Sequence, residues 1–64
     1  MTKEEIQATI NRADSGDLDA MKKAAQIFIE IANLNTEAGR LEIALECIKR
    51  SDEYIKRIKE IEPW

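Results

Sequence analysis

Sixty-four residues, 36% of them charged and 44% apolar, with a net charge of −3, leave room for one domain at most. That apolar content is too high for a disordered acidic tail, and no run approaches the ~18 apolar residues of a membrane span. One cysteine and no histidine exclude an intrachain disulfide, a zinc cluster and a histidine general base. A chain this short buries only about 60% of the surface its unfolded form exposes, so oligomerisation or docking on a partner is the expected source of extra stability.

Scarce glycine and proline and short β-branched runs favour helices throughout. The first helix is expected over residues 2–13. Thr2 and Glu5 have the spacing of a capping box, and Ile6, Ile10 and Ala13 form a narrow apolar stripe. Asp14-Ser15-Gly16-Asp17 breaks the chain. Gly16 can take the left-handed conformation that closes a helix, and Asp17, with Ser15 as a rival, can cap the next.

The second helix is expected over residues 17–34. Leu18, Met21, Ala24, Ala25, Phe28, Ile31 and Ala32 make a broad face, which Ile27 and Ile29 widen. The alanines permit close helix approach. Asn33, Asn35, Thr36 and Gly39 are weak helix formers and suggest a turn between 33 and 39. Against that, Ile27, Leu34, Leu41, Ile48 and Ile55 lie seven apart straight through the segment, the phase of one continuous helix that would need a partner along its length. The turn is the preferred reading.

The third helix is expected over residues 36–62, as the longest element. Leu41, Leu45, Ile48, Ile55 and Ile58 line one face, with Ile43, Cys47, Tyr54 and Ile61 beside them. Cys47 is expected to act as a buried small hydrophobe. Ser51 interrupts the core line, either bonding to the carbonyl of Cys47 or marking a tight crossing. Acid-first pairs four apart, Glu46–Arg50, Asp52–Lys56 and Glu53–Arg57, support the helix by about 0.2–0.5 kcal/mol each. Pro63 ends it, and Trp64 follows.

Two fragments carry a resemblance. Ser15 to Met21 resembles the turn into the second helix of a Sel1-like repeat. Glu37 to Leu45 resembles the equivalent turn of a tetratricopeptide repeat, with Gly16 and Gly39 as turn glycines and Ala44 as the small packing residue. Together they cover a quarter of the chain. Their glycines are 23 residues apart, whereas tetratricopeptide repeats recur at about 34. The resemblance implies a helical hairpin that binds protein.

Enzyme function finds no support: the serines and threonines have no activating context, and no phosphate-binding glycine motif is present. No cofactor or small-molecule ligand is expected. Asp14, Asp17 and Asp19 lack the spacing of a calcium loop and suit capping. The expectation is an all-α protein, a small bundle of two to three helices completed by oligomerisation as a dimer or higher, with coiled-coil character. It would be a protein-interaction module, self-associating or docking on a larger protein. Ile55, Ile58, Ile61 and Trp64 are the residues expected to stay uncovered and bind. The alternative is a helical regulator that binds nucleic acid through Lys49, Lys56, Arg57 and Lys59, weakened by the intruding Asp52 and Glu60 and by overall acidity. The opening Met-Thr-Lys-Glu-Glu carries no apolar signal core, and neither long helix has a strongly cationic polar face, so a cytoplasmic protein without membrane binding is expected.

Overall fold

The computed structural model describes residues 2–62, which form three helices: α1 (Lys3–Asp14), α2 (Leu18–Glu37) and α3 (Leu41–Ile61). Met1, Pro63 and Trp64 lie outside the described residues. The starts of α1 and α2 have local causes, whereas Arg40 supplies no side-chain cap at the start of α3. The Thr2 hydroxyl accepts from the Glu5 amide at 3.1 Å, and the Asp17 carboxylate accepts from the Ala20 amide at 3.2 Å. These caps satisfy amides that the first turn leaves without partners.

Both turns close in the same way. Asp17 N donates to Arg12 O and Gly16 N to Ala13 O, each at 3.1 Å. Arg40 N donates to Asn35 O at 2.7 Å and Gly39 N to Thr36 O at 3.1 Å. This nested pair is the Schellman closure, and its pivot needs positive φ. Gly16 (φ +102°) and Gly39 (φ +78°) supply it.

The second turn therefore sits at Ala38-Gly39-Arg40, three residues later than the weak helix formers suggest. Asn35 and Thr36 stay inside α2 because their side chains bond to their own helix. Asn35 Nδ2 donates to Ile31 O at 2.8 Å, and Thr36 Oγ1 donates to Ala32 O at 2.9 Å. Glycine, not the polar cluster, ends the helix. Nor do α2 and α3 form one rod, since the chain reverses at Gly39. With 20 and 21 residues, the two are nearly equal in length, and α3 does not outrun its neighbour.

The helices pack in sequence order. α2 lies between α1 and α3, which meet chiefly where the Tyr54 hydroxyl donates to Asp14 Oδ1 at 2.7 Å. The core joins Ala13 of α1, Ala20, Met21, Ala24, Ala25, Phe28 and Ala32 of α2, and Ala44, Cys47, Tyr54 and Ile58 of α3. The free Cys47 is buried, as its position among apolar residues predicts.

One expectation is overturned. The inward face of α3 is Ala44, Cys47, Ser51, Tyr54 and Ile58. Of the apolar line, Leu41, Leu45 and Ile48 point outward and Ile55 is half-buried, whereas Ile58, expected to stay uncovered, is buried. The cause is the crossing between α2 and α3. Ser51 is 1% exposed, and its hydroxyl donates across the interface to the Ala25 carbonyl at 3.1 Å, not to Cys47 in its own helix. Such a bond requires backbones close together, which Ala24, Ala25 and Ser51 allow. Leucine or isoleucine at those points would hold the helices apart.

The result is a thinly covered molecule. Of the twelve buried apolar residues among those described, six are alanine. Its dimensions are 35 × 26 × 14 Å. The radius of gyration of 11.9 Å exceeds the ~10.7 Å typical of this length. The accessible surface of 4795 Å² exceeds the ~4,200 Å² typical of this mass.

Candidate docking face

The aliphatic side chains that the core leaves out are not scattered. Ile29, Leu34, Leu41, Ile43, Leu45 and Ile48 are all between 44% and 66% exposed, and all lie between residues 29 and 48, the half of the α2–α3 hairpin that contains its turn. Among the described residues, only Ile61, at 54%, is remote from them.

Leu41, Leu45, Ile48 and Ile55 recur at steps of four, three and seven, so they share one face of α3. Ile55 and Ile58 line an open groove together with Ala25 and Ile29 of α2, flanked by Lys22 and Lys59. Tyr54, one position before Ile55, is turned about a hundred degrees away from it on α3 and reaches Asp14 of α1. The groove thus lies on the side of the hairpin that α1 does not cover. Its far end carries an exposed ion pair, Lys22 Nζ to Glu62 Oε2 at 3.3 Å, which contributes little to stability.

The candidate binding residues divide. Ile55 is half-buried in the groove wall, Ile58 is 6% exposed and belongs to the core, and Ile61 is exposed. Trp64 lies outside the described residues. Ile55 and Ile58 are thus brought together in one groove, but as its wall and floor. Sequence reasoning missed Leu41, Leu45, Ile48 and Ile29 as surface residues by assigning them to the core. A signal was present: Ala44, Cys47, Ser51, Tyr54 and Ile58 repeat at steps of three, four, three and four, as regular an inner face as the larger residues offered.

The basic candidates do not converge. Lys49, Lys56 and Lys59 are exposed on one flank of α3, whereas Arg57 is half-buried and lies a hundred degrees round from Lys56. Asp52 stands between Lys49 and Lys56 on that flank, and Glu60 is one turn beyond Lys56. The acidic residues of the first turn have structural partners: Asp14 accepts from Tyr54, and Asp17 caps α2. Among the described residues no three of His, Cys, Asp or Glu gather as a metal site, and no helix is long and apolar enough to cross a membrane.

The opposite side of the hairpin is closed by aromatic packing. The Phe28 and Tyr54 rings stack with centroids 6.0 Å apart, and the Arg50 guanidinium lies 5.0 Å above Phe28. Burial of the Tyr54 phenol and its bond to the Asp14 carboxylate raise its pKa above the ordinary 10.0, against an opposing pull from Arg50. The folded state thus favours the neutral phenol. Its contribution is complete below pH 10 and is lost as pH rises through the folded-state pKa. Chemical denaturation from pH 8 to 11 is expected to show wild type losing more stability above pH 10 than Tyr54→Phe. Parallel curves would contradict this linkage.

No family model matches this chain, no curated protein matches its sequence, and no solved structure matches its fold.

Proposed function

We propose that the chain is a protein-interaction module that receives an amphipathic helix of another polypeptide along the Ile29–Ile55 groove and the Leu41, Leu45 and Ile48 stripe. One observation carries this reading: Leu41, Leu45 and Ile48 lie outside an alanine-rich core and share one helical phase of α3 with the groove residue Ile55. Leu41, Leu45, Ile48 and Ile29 expose roughly 350 Å² between them, within the size of the largest and often functional apolar patch of a monomer. The stripe from Leu41 to Ile55 runs about 21 Å, four turns of helix. A helix laid into such a groove is read through anchors at steps of three, four and seven.

The test places a photo-cross-linking phenylalanine analogue at Leu45, and a control at the exposed Glu53, about a third of a turn round α3 from the centre of the stripe, in extract of the cells that make the protein. The expected result is an adduct with a defined polypeptide, another copy included, from position 45 only. That adduct should re-form from purified components and disappear with Leu41→Gln. Adducts with nucleic acid, equal adducts from both positions, or none from position 45 would overturn the reading.

A further inference from the structure

We infer that the helix received on this face is α3 of a second copy, running antiparallel, so that the chain is an isologous dimer. The inference rests on the docking face proposed above and names its occupant. On the exposed side of α3, Leu41, Leu45, Ile48, Asp52, Ile55 and Lys59 follow steps of four, three, four, three and four. This is the spacing of a coiled-coil seam, and it holds two charged positions. Those charges decide which partner fits.

A parallel copy in register would set Asp52 against the partner's Asp52 and Lys59 against the partner's Lys59 inside an apolar seam, where like charges repel and remain desolvated. An antiparallel copy centred near residue 50 gives a different set of neighbours. Leu45 then meets the partner's Ile55, Leu41 meets the aliphatic stem of the partner's Lys59, and Ile48 meets the partner's Asp52, which no longer faces a like charge. Glu42 comes beside the partner's Lys56. At the twofold axis Asp52 comes beside the partner's Lys49, and two acids and two lysines form a neutral group. Every pairing occurs twice, as an isologous interface requires. Glu42, Lys49, Asp52, Lys56 and Lys59 are all exposed, and no ion pair among the described residues engages them.

The area agrees with this assignment. A standard interface covers about 800 Å² on each partner, with somewhat more than half of it apolar. The four aliphatic residues supply most of that apolar share, and the half-buried Ile55, Ala25 and the lysine stems extend it. A second copy would also supply the second layer that this thinly covered molecule lacks.

The test is sedimentation equilibrium of the full chain from 1 μM to 1 mM (about three decades, enough to reveal a dimer of ordinary affinity). Wild type is expected to dimerise. Leu45→Gln should weaken dimerisation by at least about a hundredfold while the helical circular dichroism of the monomer is retained. Glu42→Lys and Lys56→Glu should each weaken it by about tenfold. The double exchange, Glu42→Lys with Lys56→Glu, should recover wild-type affinity to within about threefold, because it rebuilds both cross-pairs with reversed sign.

A wild-type chain that stays monomeric overturns the second copy as occupant. A position-45 adduct with a different polypeptide would then still uphold the docking face, so the two failures are distinguishable. A dimer in which the two charge changes simply add overturns the antiparallel arrangement. An assembly larger than a dimer overturns the closed pair.

Discussion

Met21→Ala is expected to leave the chain largely unfolded at 25 °C. Met21, in the first turn of α2, is fully buried within the core. Removing its thioether arm takes away buried apolar surface and leaves a void between helices whose neighbours, Ala20, Ala24 and Ala25, cannot expand into it. Such truncations cost about 2–5 kcal/mol. A single core in a domain under ~70 residues rarely supplies more than about 3–5 kcal/mol. Leu41→Ala is the informative contrast. Leu41 is 59% exposed, and its truncation should change the stability of the monomer by under about 0.5 kcal/mol. Urea unfolding followed by circular dichroism at low micromolar concentration, below any association, compares the two. If Leu41→Ala proves the costlier change, α3 is not rotated with Leu41 outward.

The second large effect is at the crossing. Ser51→Leu is expected to cost about 3 kcal/mol or more, which for this chain amounts to loss of the fold. The serine fills the narrow gap opposite Ala25, and two more heavy atoms there, on a branched side chain, must push α2 and α3 apart or force strained rotamers. Ser51→Ala should cost only about 1 kcal/mol. It removes one neutral hydrogen bond and keeps the close approach. The pair of variants separates the two roles of the residue, size and hydrogen bonding. Similar losses for alanine and leucine would mean that the hydroxyl, not the space, controls the crossing. The same close approach turns the larger residues of α3 outward, so the crossing and the docking face are two consequences of one packing choice.

Much of the fold was legible in the sequence because its causes are local. Thr2 and Asp17 cap the helices that follow them through their own side chains, and Gly16 and Gly39 close the preceding helices through their own backbones. The placement of the second turn failed for a local reason as well. Asn35 and Thr36 can break a helix or bond back into it, and which they do depends on whether a better terminator follows. Gly39 does.

What only the tertiary structure decided is which stripe of α3 faces inward. Leu41, Leu45, Ile48 and Ile55 share the helical period of Ala44, Cys47, Ser51, Tyr54 and Ile58, so periodicity cannot choose between them. Hydrophobicity favours the first set, whereas the distance between helix axes favours the second. That distance is set by alanines on a different helix, and it is known only once α2 and α3 have been packed together.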